Sequence, residues 1–578
     1  MTYSLDAYAQ LLTAAQAAHL LRRATMGPTQ TEINTFTGQT ATAAIQSLIT
    51  NITSPTPPVD LKDTLTTAGQ SIVDKVYDTN RNFDYRIYQK YWWINLMAKQ
   101  GGNPSIQEKL TLFWQNHFVT TSDAVDENRA VFKYFTLIRN NILGNFKDFV
   151  REVSKDPAML KFLNGNDSTK GTPNENFARE LMELFVVGAK DFAGNNNYVE
   201  NDVKAAARAL TGWQNQNFYS TSITTVSSIF TLSRHDTNAK QFSLSYPDPV
   251  NPSLGTKINA IPTPTPQPPM GYTNFGDFEL DELLNMLFRH PETPKFICRK
   301  LYRFFVNPNV TQDIETNVII PLANIFKTID PITGRAFEIK PIIIKLLSSE
   351  HFYDVANFGA IVKSPLEFLV GTLRFFDFQV PVIDSGNLAN SLKNYTAYAD
   401  YVYNGTTVTG YATKAGLVPM QMSILDQPSV FGYDAYFQTG YSKNWINTTQ
   451  VGLRNAFTDV LVLIGKTLVG SITPLVKIKI DMVAMVDKPT TTTPYYNASD
   501  PVAMLNLVLK NLFALELSTN QKDFLIDVIL IQNLGRTNWT NEWNRYKTTP
   551  NAANLLIVKN RLENLMKYIL RMAEYHIC

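Results

Sequence analysis

Along most of this chain apolar residues return every third or fourth position, the repeat of helices that lay one face on a core. The repeat runs through 86–120, 128–163, 174–190, 200–213, 277–305, 314–327, 335–349, 360–376, 447–466, 500–515 and 552–575. Leu11, Leu12, Ala15, Ala18 and Leu21 carry it back to the N-terminus as an amphipathic helix. Two starts show caps: Asp277 ahead of ELDELLNMLFRH, and Ser364 ahead of Pro365, whose fixed φ suits a first turn. Alternation of period two is scarce, limited to FTLS at 230–233 and VKIKIDMV at 476–483. The pattern predicts a mainly α protein: a large multi-helical single body with long loop insertions and at most a small β element.

Two stretches interrupt the helices. Residues 245–273 hold eight prolines, which withhold backbone donors, and are expected to run as an irregular, peripheral loop. Residues 484–500, with DKPTTTTPYYNASD, read as a linker. The expected organisation is a helical body over 1–484 with the proline-rich insertion 245–273, a linker over 485–499, and a C-terminal helical cap over 500–578.

Composition narrows the classes. The 578 residues carry 52 basic and 50 acidic side chains, a net charge of +2, so no electrostatic case exists for a nucleic-acid partner. Cys298 and Cys578 are the two cysteines, which allows one disulfide and excludes a disulfide scaffold or a cysteine-built zinc site. The longest apolar runs, such as VLVLIG at 460–465, are too short for a transmembrane segment, and the N-terminus lacks the form of a signal peptide. The chain as given is expected to be soluble.

The candidate chemistry begins at PNENFARELMELFVVG, residues 173–188. Pro173 and Asn174 supply a stop and a cap, with Glu175 in the first turn. At about 100° per residue, Asn176, Arg179, Glu180 and Glu183 fall on one side, opposite Phe177, Leu181, Leu184 and Phe185. One reading is a solvated face with an Arg179–Glu183 pair. The other is an arginine that holds one carboxylate ionised while its neighbour serves as acid, base or metal ligand. In EKLTLFWQNHF, Leu110, Phe113, Trp114, His117 and Phe118 share a stripe, so His117 faces inward among aromatics. Arg208 projects from the alanine-rich DVKAAARALTGW, which Gly212 and Trp213 end. Arg234, His235, Asp236 and Lys240 crowd SRHDTNAKQF, where a tight turn could aim either His235 or Asp236 into a cleft.

The order of AAHLLRRATMGPT, KLTLFWQNHF, SKDPAML, NENFARELMELFVVG, DVKAAARALTGW, RHDTNAK, HPETPKFICRKLYRFFV, VKSPLEFLVGTLR and PSVFGY…WINTTQVGLRNAF resembles the bacterial family called domain of unknown function 1800. The asparagine- and aromatic-rich style is similar to its Bacteroidota branch. The resemblance implies a helical protein without an established activity, often exported (periplasm or cell surface). It also implies a neighbouring partner that looks like an alkaline-phosphatase or sulfatase relative. The family's polar positions fall on His19, Asn116, His117, Lys170, Asn174, Glu175, Asn176, Arg179, Glu180, Glu183, Arg208, Trp213, His235, Asp236 and Lys240. Two positions depart from it: many relatives have histidine where this chain has Gln115 and Phe185. The proline-rich stretch after Lys240 is also longer than the family pattern.

Phosphate loops, GxSxG elbows, HExxH zinc helices and paired ExxH elements do not occur, so no nucleotide site is expected. A carboxylate site for a hard divalent cation would draw on Glu175, Glu180, Glu183 and Asp236. The leading expectation is an enzyme or ligand-binding protein whose cleft assembles His117, Glu180, Glu183, His235 and Asp236 for acid–base or carboxylate–metal chemistry. Asn176, Arg179, Arg208, Trp213 and Lys240 would hold the ligand. The alternative is a helical scaffold, paired with the phosphatase- or sulfatase-like partner, whose polar motifs are buried structural networks.

Overall fold

A computed structural model describes the chain except for residues 100–102, 263–266, 406–413, 469, 474 and 488–496. It is mainly α-helical, a single large body. Among the described residues its strands form three two-stranded antiparallel ladders, Trp213–Gln216 with Ser227–Phe230, Lys240–Gln241 with Lys257–Ile258, and Lys466–Thr467 with Lys477–Ile478. One hydrophobic cluster runs from Leu5 to Tyr575.

The long periodic stretches are cut where the backbone demands it. Residues 128–163 divide into Asn128–Asn141, Phe146–Lys155 and Pro157–Phe162. Asn145 and Asp156 break the run because each turns extended to cap the next helix, and Pro157 follows at a first-turn position. The 277–305 stretch is two helices, Phe275–Arg289 and Glu292–Phe305, since His290 precedes Pro291 and takes an extended conformation. Its first cap is Asn274, which accepts from the amide of Asp277. The N-terminal helix starts at Ala14, behind a Thr13–Gln16 capping box, and leaves Leu11 exposed.

Other expectations are corrected in detail. Only Phe230 of FTLS lies in a strand; Leu232–Arg234 is a short 3₁₀ turn. VKIKIDMV pairs over two residues and then becomes the helix Met482–Val486. The proline-rich segment is not wholly irregular or peripheral. Ile258 pairs with Lys240, and Tyr246 and Ile258 are buried, while Val250 and Met270 stand in solvent. Gly255 makes the ladder's return, because a side chain there would strike the carbonyl of Phe242. Residues 263–266 of this segment and 488–496 of the expected linker lie outside the described residues.

The C-terminal helix Ala552–Arg571 packs on Thr448–Asp459 and on Met482–Val486. Beyond it, Ile577 bridges to Val362, and the His576 ring stacks on Phe368 at 5.4 Å. The end of the chain is therefore seated against the helix Pro365–Phe375 of the main body.

Candidate acid–base groove

The helix Gln107–His117 is buried along nearly its whole circumference, so its polar residues must find partners inside the protein. Gln115 and Gln427 exchange amide hydrogen bonds. Asn116 accepts from the amide of Tyr433 at 3.3 Å. These bonds latch the 427–438 segment onto the helix, and Gly432 (φ +75°) permits the contact because a Cβ there would lie 2.5 Å from the Asn116 carbonyl oxygen. His117, the last residue, sits among Phe113, Trp114, Phe118 and Phe146 as the stripe predicts.

The helix Glu175–Glu180 begins at the Asn174 cap, which accepts from Phe177 N. It then widens into a π-helical turn, Leu181–Val186. Such turns displace the i→i+4 ladder and gather at functional sites. The last carbonyls of a helix have no partner within it. Here Leu184 O accepts from Lys300 Nζ at 3.2 Å, and Phe185 O accepts from His117 Nε2 at 3.0 Å. Gly188 (φ +89°) closes the helix; its missing Cβ is what lets Phe296 Cδ2 approach to 2.9 Å of that position.

A carbonyl can only accept, so His117 carries its proton on Nε2 and leaves Nδ1 as an acceptor. Lys300 Nζ donates to that Nδ1 at 3.0 Å. Among the described residues Lys300 has no carboxylate within ion-pair distance; its remaining neighbours are the faces of Phe296 and Phe437, at 4.8 and 4.7 Å. Burial, reinforced by Arg303, pushes the Lys300 ammonium down to about 7. Burial and the Lys300 charge hold the His117 imidazole well below the usual histidine range. Both side chains open on a groove of about 460 Å³, shared with Glu183, Phe192, Arg303 and Asp434. Lys300 keeps part of its surface on this groove although protein encloses it on its other sides.

Arg303 stands one helical turn beyond Lys300. Its Nε is buried without a partner, and among the described residues the guanidinium forms no hydrogen bond or ion pair. The adjacent Arg299 is fully engaged by Glu292 and Glu315. Neither cation is ion-paired among the described residues, although Glu183, Asp191 and Asp434 line the same groove.

The acidic face of the 175–186 helix lacks the expected Arg179–Glu183 pair. Arg179 pairs with Glu200 at 2.5 Å, not with Glu183, and Glu183 accepts from the Tyr198 hydroxyl. Glu180 is half-buried, and burial together with Glu183 raises its carboxyl to about 7. Asn176 and Glu175 are exposed.

The remaining expected site residues form a second group, buried except for Arg208. Arg208 holds Asp236 by two hydrogen bonds, at 2.7 and 3.2 Å. Lys240 donates to both oxygens of Glu279, and His235 Nε2 lies 3.2 Å from Glu279 Oε2; all three side chains are fully buried. His235 Nδ1 donates to Thr211 O at 2.8 Å. His235 and Asp236 thus point apart, toward Glu279 and Arg208. Trp213 packs edge-on against Phe230 as the first residue of its strand. His19 lies elsewhere in the core, against Phe352 and Phe358. Among the described residues no hydrogen bond or ion pair joins this network to the groove, so the single cleft expected from the motifs is two places: His117 and Glu183 at the groove, Arg208, His235, Asp236 and Lys240 in the network. Among the described residues no group of three or more His, Cys, Asp and Glu side chains is arranged to hold a metal.

The motifs do not single out Lys300 and Arg303, yet HPETPKFICRKLYRFFV contains their signal. Lys300 has Phe296, Ile297, Arg303 and Phe304 at its helical neighbour positions, and no acid among them.

A mainly helical body, with a groove of mixed charge that holds an unpaired lysine and arginine and with a separate buried ionic network, is the class of protein these features define. The family model described as protein of unknown function (DUF1800) matches residues 19–577, and the chain belongs to that family. No curated protein and no solved structure matches it.

Proposed function

We propose that the protein is an acid–base enzyme that takes a small anionic molecule into the groove, held by Arg303, with His117 and Lys300 exchanging a proton with it. The observation that carries this reading is the Lys300 amine: two acceptors, His117 Nδ1 and Leu184 O, and no acid. A lysine held this way is poised between its charged and free-base forms near neutral pH, which is what general acid–base work requires. Glu180 and Glu183 stand on the helix that shapes the groove and supply the carboxylates for a divalent cation, should one take part. The test is calorimetric titration of the protein with glycolate, a small carboxylic acid. Binding that Arg303→Gln abolishes is the expected result, and its absence retires the reading.

The closed Lys240–Glu279–His235 network supports a second reading, a scaffold for a phosphatase- or sulfatase-like partner. A partner complex that survives Lys300→Met and Arg303→Gln without any ligand bound at the groove would favour it. The asparagine- and aromatic-rich style and the export common among relatives support a Bacteroidota-like, exported protein; fractionation of the native source tests that placement.

A further inference from the structure

Resting on the groove reading above, we infer that Lys300 is a nucleophile that forms an imine with a carbonyl compound bearing an anionic group, a 2-oxo acid or an aldehyde acid, whose anion sits on Arg303.

The geometry carries this in three steps. An uncharged amine has two N–H donors and one lone pair. Lys300 Nζ has two acceptors, His117 Nδ1 at 3.0 Å and Leu184 O at 3.2 Å, so the free base satisfies both and keeps its lone pair. An ammonium's third proton has no acceptor among the described residues, and only the faces of Phe296 and Phe437, at 4.8 and 4.7 Å, attract its charge. Secondly, the amine opens on the groove, where it meets a ligand. Thirdly, Arg303 follows at i+3 on the same helix, so the two side chains are neighbours on one helix face and both line the groove. Its guanidinium is the free anion partner in that position.

The reaction balances without an added oxidant or reductant. The Lys300 lone pair attacks the carbonyl carbon; the C–N bond forms and the carbonyl electron pair moves to oxygen. The nitrogen's first proton passes through His117 Nδ1 to that oxygen, giving a hydroxyl. The nitrogen's second proton follows the same route as the nitrogen lone pair closes the C=N bond, and the hydroxyl leaves with it as water. His117 is suited to the shuttle because its Nε2 proton is fixed on Phe185 O, leaving Nδ1 alone to exchange. The low affinity of Lys300 for its proton, about 7, places free amine in the groove at neutral pH.

The experiment treats the full-length protein with glyoxylate and sodium cyanoborohydride at neutral pH, with adducts located by peptide mass spectrometry. Lys300 should be carboxymethylated roughly tenfold or more faster than the surface lysines, because ordinary lysines hold about a thousandth as much free amine at that pH. Arg303→Gln should slow labelling by glyoxylate more than labelling by acetaldehyde, which has no anion and loses only what the weaker depression of the Lys300 amine costs. His117→Gln should slow both. Adducts spread evenly over surface lysines, with Lys300 no faster, would overturn the imine. If glycolate still bound in that case, the anion site would stand and only the covalent chemistry would fall; if neither bound nor reacted, both readings would fail.

Discussion

Lys300 Nζ stands 3.0 Å from His117 Nδ1, a nitrogen that can only accept, because the other ring nitrogen is committed to the Phe185 carbonyl. A cation is thereby placed against a neutral base, with no counter-charge. Proteins pair buried ammonium groups with acids, as Lys240 is paired with Glu279 here. The contrast between those two lysines separates the groove from the structural network.

The first prediction concerns stability against pH. Lys300 titrates at about 7 in the folded protein, against 10.5 for an ordinary lysine. Between those values the unfolded chain binds more protons, so this residue makes stability rise with pH. Its cost is fully present below about 7 and is relieved as pH approaches 10.5. Lys300→Met should flatten that rise in urea midpoints measured across the window. An unchanged slope would place the charge elsewhere.

Glu180 has the opposite dependence. Its folded carboxyl titrates at about 7 against 4.5 for an ordinary glutamate, so the folded state binds the extra proton between them. Its contribution is fully present below 4.5 and lost as pH rises through about 7. Glu180→Gln should remove this loss and stabilise the protein above neutral pH, by less than the full shift implies because solvent screens this half-exposed carboxylate. Thermal melts at acid and alkaline pH read the difference; a variant destabilised equally at both would contradict it.

The sealed network predicts a stability effect with no binding effect. Glu279→Gln leaves the buried Lys240 ammonium without its carboxylate, and the expected loss is about 3–5 kcal/mol. Glycolate binding at the groove should be unchanged in whatever fraction remains folded. Loss of binding at full stability would mean that the network is part of the site.

Both thiols are unpaired and buried, and burial raises the Cys298 thiol far above the usual range. A thiol reagent such as dithionitrobenzoate should label neither cysteine in the native protein and both after denaturation. Rapid native labelling of Cys298 would show that the helix Glu292–Phe305 opens readily.

How far these features could be read from sequence depends on their range. The Asn174 cap and the inward His117 are local, set by residues within one turn, and both are visible in the pattern. The partners of Arg179 and Glu183 were not. A helical wheel assumes an unbroken ladder, and the π turn that starts at Leu181 rotates Glu183 away toward Tyr198. The helix Arg536–Thr548 has two buried anchors, Trp539 and Trp543, too few to register as a periodic face. Leu388–Tyr403 buries small and tyrosine side chains in place of an aliphatic stripe. The groove itself is beyond local reading. Lys300 meets Leu184, 116 residues earlier, and His117, 183 residues earlier, and only the assembled fold joins them.

The most direct test of the account is the titration of the Lys300 amine itself. Competitive labelling with trace acetic anhydride over a range of pH, read peptide by peptide by mass spectrometry, gives each lysine its own reactivity curve. The curve for Lys300 should have its midpoint near pH 7, as burial and Arg303 require, and His117→Gln should change it. A midpoint near 10.5, in common with the surface lysines, would mean that Lys300 stays charged in the groove and would contradict the acid–base reading.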